Sequence, residues 1–144
     1  MKLIIGTDHR GFTHKEYIKK HVSTIEWLDI GCFSDKPVDY PIIAHKAVEL
    51  LNQQKFKKAI LLCGSGIGMC ITANRYPGIF AALVWNAKVA EQAKEHENAN
   101  ILVLPSDYIT EQESIDCINA WLAASFLEGN YARRCAMIDD QQNF

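Results

Sequence analysis

Short apolar runs alternate along the chain with longer stretches in which apolar residues recur every three or four positions. Leu3-Ile4-Ile5-Gly6-Thr7 reads as a first strand, followed by a polar loop, Asp8-His9-Arg10-Gly11, and a helix through Val22. A second strand spans 26–30 and ends at Gly31; a long loop with two prolines then leads to a helix over 42–51. Ala59-Ile60-Leu61-Leu62-Cys63 is continuously apolar, the signature of a strand covered on both faces, and helical spacing resumes after Gly64, Gly66 and Gly68. Beyond the Pro77-Gly78 turn the pattern predicts a strand over 79–84 and a helix capped by Asn86 that runs to about residue 95. A polar knot, His96-Glu97-Asn98-Ala99-Asn100, precedes a fifth strand, Ile101-Leu102-Val103-Leu104. Thr110, with Glu111 and Glu113, opens a helix through Ala124 that Gly129 interrupts, and residues 131–138 form a C-terminal helix. Five strands alternating with helices predict one domain over 1–144, a doubly wound parallel α/β sheet.

The third strand, its glycine turn and the helix behind it carry the most chemistry. The glycines let the backbone approach a ligand, and the helix that follows aims unpaired N–H groups into the turn. A group that is anionic, or becomes so, belongs there. Cys63 ends the strand beside this field, which lowers a thiol pKa and makes a base of it; the competing reading is an inert buried cysteine. No Lys-Ser/Thr follows the glycines, and the turn follows an internal strand, so a P-loop and a dinucleotide fingerprint are both disfavoured.

Ligands of parallel sheets bind outside the carboxyl ends of the strands, which places Asp8, His9, Cys63 and Ser65 at one edge. Asp8 is either functional there or a helix cap, and Tyr40 either lines the pocket or anchors its loop. His96 is a helix C-cap or an acid–base group, and Arg133-Arg134 are solvated or form an anion clamp. His96 precedes its strand and so falls at the opposite edge. A homodimer removes the misfit by bringing His96 of one copy to the cleft of the other.

Composition narrows the function classes. With 144 residues, 49% of them hydrophobic, and a formal charge of −2, the chain has the balance of an ordinary soluble domain with no basic block for nucleic acid. No apolar stretch is long enough to span a membrane, and the N-terminus runs straight into a strand instead of a signal peptide, which points to the cytoplasm. The five cysteines contain no Cys-x-x-Cys pair, so reduced thiols are expected instead of a disulfide framework or a zinc site.

Together these residues resemble the type B ribose-5-phosphate isomerase family and the related allose- and galactose-6-phosphate isomerases. The matching features are Asp8-His9-x-Gly11, Asp39-Tyr40-Pro41, Cys63-Gly64-Ser65-Gly66-Ile67-Gly68 with Ala73-Asn74 and Pro77-Gly78-Ile79, His96-x-Asn98-Ala99-Asn100, and Arg133-Arg134. The resemblance implies a Rossmann-like sheet, a homodimer or dimer of dimers with shared sites, and aldose–ketose isomerisation of a sugar phosphate without metal or other cofactor. It casts Cys63 as the base, since Met69 stands where other members carry a glutamate. Ser65 and the backbone N–H groups of Gly66, Ile67 and Gly68 would hold the oxyanion, and His96 and Asp8 would serve ring opening. His9 and Arg134 would bind phosphate, with Tyr40, Gly64 and Asn98 also lining the substrate.

Departures from the pattern cluster on the anion side. Glu97 replaces an asparagine, Asp107 stands where an arginine is usual, and Asn130-Tyr131 stand where Arg-His is usual; Arg10 and Arg133 are the substitute cations on offer. Two alternatives therefore stand beside ribose 5-phosphate: a sibling isomerase acting on another sugar phosphate or a free sugar, and a non-catalytic sugar-binding partner subunit.

Overall fold

The structure is a computed structural model that describes residues 1–140. Its strands are β1 (Lys2–Thr7), β2 (Glu26–Asp29), β3 (Ala59–Cys63), β4 (Ala81–Leu83) and β5 (Ile101–Pro105). The helices are α1 (Phe12–His21), α2 (Tyr40–Asn52), α3 (Ile67–Ala73), α4 (Ala87–Glu95), α5 (Glu111–Ala123) and α6 (Asn130–Asp139), with a 3-10 turn at His9–Gly11 before α1. The strands form one parallel sheet in the order β2-β1-β3-β5-β4.

Helices cover both faces, which is why β3 and β5 are apolar at every position. Ile60, Leu62, Leu102 and Leu104 pack with Ile18 of α1, Ala90 and Ala93 of α4, and Trp121 of α5. Leu61, Cys63, Ile101 and Val103 turn to the other face, against Ile43 and Ala47 of α2 and Met69 and Ala73 of α3. Trp121 is fully buried, and its indole N–H donates to the carbonyl of Ala99 at 3.2 Å. Among the described residues no helix is long and apolar enough to cross a membrane.

Two elements start two residues away from the periodic pattern, β4 later and α2 earlier. β4 is shorter than 79–84: the Phe80 N–H is diverted to the Asn100 side chain at 2.9 Å, although its carbonyl still accepts the Ile101 N–H at 3.3 Å. Helix α2 starts at Tyr40, before Ile42, because Asp39 is its extended N-cap residue and Pro41 fits the first turn, where its missing N–H costs nothing. Helix α5 ends at Ala123, one residue short of the expected Ala124, but Gly129 is not what stops it. Ala124 is extended, and the Leu127 N–H donates to the Glu95 carbonyl at 3.0 Å, drawing the connection onto the end of α4; Gly129 instead precedes α6.

After β1 the chain moves outward to β2, then crosses back to β3 on the other side of β1. The loops after β1 and β3 therefore part above adjacent strands, opening the crevice in which ligands of such sheets bind.

Candidate active site

The crevice is pinned at its base by the Thr7 hydroxyl, which donates to the Leu62 carbonyl at 3.1 Å. Asp8, only 5% exposed, comes next. Its carboxylate accepts the N–H of Arg10 at 2.9 Å and of Gly11 at 3.4 Å, so it caps the 3-10 turn while facing the cleft side of the sheet end. Burial raises its pKa, and those two N–H bonds pull it partly back. His9 follows, its Nδ1 accepting the Val38 N–H at 3.3 Å. That contact ties the long loop before α2 to the site.

Across the crevice Cys63 is 4% exposed, and the backbone N–H groups of Met69 and Gly66 face its sulfur. The thiol nonetheless departs from the expected direction. Burial pushes its pKa up, the two N–H groups recover only part of this, and the carboxylates of Asp8 and Asp107 add to the rise. The field of the turn is present, but desolvation outweighs it. Gly66 takes the left-handed conformation at φ 75°, turning the chain into α3, and Ser65 accepts the Ile67 N–H at 3.3 Å, keeping its own proton to donate. Tyr40 lies over Gly68: a methyl group on Gly68 would sit 2.8 Å from the phenol oxygen. The ring, 39% exposed, thus lines the glycine turn as well as opening α2.

Arg10 reaches over Gly64 to form an ion pair with Asp107, which follows β5. The crevice thus gathers Asp8, His9, Arg10, Tyr40, Cys63, Ser65 and the turn 64–68.

His96, Asn98, Arg133 and Arg134 lie apart from it. His96 is the C-cap of α4, at the edge from which β5 begins, and its ring stacks on Tyr131 with centroids 4.4 Å apart and planes 2° from parallel. The Arg134 guanidinium stands 5.8 Å from the same Tyr131 ring, and Asn98 accepts from Lys94. Arg133 turns along its own helix to Met137 Sδ at 3.5 Å. A cavity of about 820 Å³ at this side, lined in part by Tyr76, Phe80, Glu97 and Ile138, holds none of the glycine-turn residues. One chain therefore carries two separate groups of candidate residues, at opposite sheet edges.

Residues 3–138 match the family described as Ribose/Galactose Isomerase. The chain belongs to that family. A Mycoplasma genitalium protein named probable ribose-5-phosphate isomerase B is 37% identical over 136 residues, covering 92% of this chain and 90% of its own. Among solved structures, a ribose 5-phosphate isomerase from Thermotoga maritima superposes with a TM-score of 0.94 at 40% identity, covering 96% of this chain and 97% of that one. The Mycoplasma genitalium ribose-5-phosphate isomerase B, solved with bound ribulose-5-phosphate, gives 0.89 at 34% identity, covering 99% and 97%. The expected ribose/galactose isomerase membership and Rossmann-like α/β fold are thus met.

Several features of this isomerase chain escaped the sequence. The N–H of Met69 is hidden behind an apolar name, and Val38 reads as an ordinary loop residue. Tyr131 differs from the family pattern at its position, and only the structure reveals that it forms a platform under His96.

Proposed function

We propose that this protein interconverts ribose 5-phosphate and ribulose 5-phosphate through an enediolate, with Cys63 moving the proton between the two carbons. The supporting observation is the placement of the Cys63 sulfur at the switch point, faced by the Gly66 and Met69 N–H groups and across the crevice from Asp8. The substrate assignment comes from the relatives' names and from ribulose-5-phosphate in one relative's structure.

Isomerisation requires an open sugar chain, removal of a proton beside the carbonyl, and its return to the neighbouring carbon. A thiolate at Cys63 takes that proton. The N–H groups of the turn and the Ser65 hydroxyl stabilise the charge that develops on oxygen, usually the largest electrostatic contribution to such a step. Asp8 and His96 exchange protons with the ring and chain oxygens during opening, while His9 and Arg134 hold the phosphate. Because the resting thiol is raised, proton loss from Cys63 limits the working fraction at neutral pH.

The active unit in this reading is a dimer. β3 spans roughly 13 Å at the usual rise per residue, so His96 and Arg134 of the same chain sit far from Cys63. Ile67 and Ile71 on α3, and Met137 and Ile138 on α6, are exposed apolar residues that a second copy would cover. We place the enzyme in the cytoplasm, in keeping with its five free cysteines.

Asp107 beside the crevice favours a second reading, isomerisation of an unphosphorylated sugar, because a carboxylate opposes a phosphate dianion. Turnover on a panel of pentose and hexose phosphates beside the free sugars separates the two. Ribose 5-phosphate is expected to have the highest kcat/KM, and a faster free sugar contradicts the proposal.

A further inference from the structure

The Arg10–Asp107 ion pair joins the loop after β1 to the loop after β5, 97 residues apart in sequence, and passes above the end of β3 between them. It rests on Gly64: a methyl group added there would stand 2.7 Å from Asp107 Oδ2 and would also collide with the Arg10 side chain. The pair therefore occupies the space directly above the residue after Cys63, within the crevice already described.

The backbone that carries the Asp107 carboxylate is set firmly. The Asp107 N–H donates to the Gly64 carbonyl at 3.0 Å, and Ser106 donates both its N–H and its hydroxyl to the Cys63 carbonyl, each at 3.0 Å. The guanidinium is freer, with 58% of the Arg10 side chain exposed and one of its five N–H donors engaged by Asp107. An ion pair this exposed adds little to stability. A carboxylate on a fixed loop holding a solvent-facing guanidinium at a strand-end crevice is better suited to presenting a fork of donors to an anion.

We propose that Arg10 is an anion-binding residue of the crevice and that Asp107 is a positioning residue, which holds the guanidinium above Gly64 and tempers its charge. The pair thereby sets the affinity for the substrate's phosphate. This rests on the sugar-phosphate reading given above. The two residues have opposite signs of effect. Losing Arg10 removes the cation, whereas neutralising Asp107 with an asparagine keeps an acceptor for the guanidinium and leaves its charge unopposed.

The full chain and its Arg10→Gln, Arg10→Lys and Asp107→Asn variants are titrated calorimetrically with inorganic phosphate and with ribose 5-phosphate, and turnover is measured on the same preparations. Arg10→Gln is expected to weaken both ligands about tenfold, the loss of one charge-assisted contact, and to raise KM by a similar factor with kcat unchanged. Arg10→Lys recovers part of the loss. Asp107→Asn tightens phosphate binding about threefold, as removal of an opposing charge requires. Unchanged phosphate affinity in Arg10→Gln, or weaker affinity in Asp107→Asn, overturns the proposal. The isomerase reading fails separately: wild type that binds phosphate through Arg10 yet does not isomerise ribose 5-phosphate leaves this assignment in place and removes only the reaction.

Discussion

His96 lies flat against Tyr131, their planes 2° apart, at the sheet edge away from Cys63. The stack fixes the orientation of the imidazole from below and leaves it no route to the crevice of its own chain. Mixing inactive Cys63→Ala and His96→Ala chains is therefore expected to restore turnover. With free exchange, half of the dimers are hybrid and each has one intact site, so recovery approaches about a quarter of the wild-type rate. Confirmed exchange of subunits without recovery argues against shared sites.

Tyr40 and Gly68 make a second demand on geometry. The phenol oxygen lies 2.8 Å from where a Gly68 side chain would begin, so Gly68→Ala must push the ring aside. A shift of about 1 Å in a lining group is enough for a loss on the order of 10²-fold in kcat/KM. Melting temperature is expected to change little, since Tyr40 is already half out in solvent. A variant with normal kinetics would remove Tyr40 from the site.

Stability has a different centre. The Lys15 side chain is completely buried, and its ammonium donates to Asp29 at 2.7 and 2.8 Å and to the Cys32 carbonyl at 2.6 Å. Burial pushes the Asp29 carboxyl up, but Lys15, Lys19 and the Gly31 N–H together hold it below the ordinary range. Lys15→Met is expected to cost about 3 kcal/mol in denaturant unfolding, at the low end for a broken buried pair because Lys19 still reaches the carboxylate. The sign with pH follows from the depressed value. The contribution of Asp29 is complete above the unfolded carboxyl range, about pH 4, and is lost as the pH falls through the folded value. A Lys15→Met protein as stable as wild type contradicts this role.

Strand–turn–helix around Cys63 was legible because each of its signals is local: an apolar run, glycines at the turn, and helical spacing behind them. The edge on which His96 falls was legible too, since it needs only the rule that a parallel strand has one carboxyl end. What escaped were relations set by distant parts of the chain. Arg10 meets Asp107 only because β1, β3 and β5 lie side by side, an order that periodicity does not encode. The rise of the Cys63 thiol has the same origin: the turn's N–H field can be read from glycines, but the burial that outweighs it comes from α2 and α3 closing over the sheet. The end of α5 was legible to within a residue, but not its setting, in which the Leu127 N–H bonds to the Glu95 carbonyl, a tertiary contact with no sequence mark.

The raised thiol carries its own signature. A base works only when deprotonated, so kcat/KM is expected to climb as pH rises through the alkaline range, controlled by a pKa above the ordinary thiol value. A profile that is flat from neutral upward would mean the thiol is already ionised in the free enzyme, or that another group is the base.

In the proposed reaction Cys63 moves the proton. Exchange of solvent hydrogen isotope into ribose 5-phosphate reports that step whatever limits turnover. In Cys63→Ala it is predicted to fall by about 10²–10⁴-fold while binding of ribose 5-phosphate persists, the usual contribution of a positioned base. Exchange at near wild-type rate in Cys63→Ala would rule out Cys63 as the base.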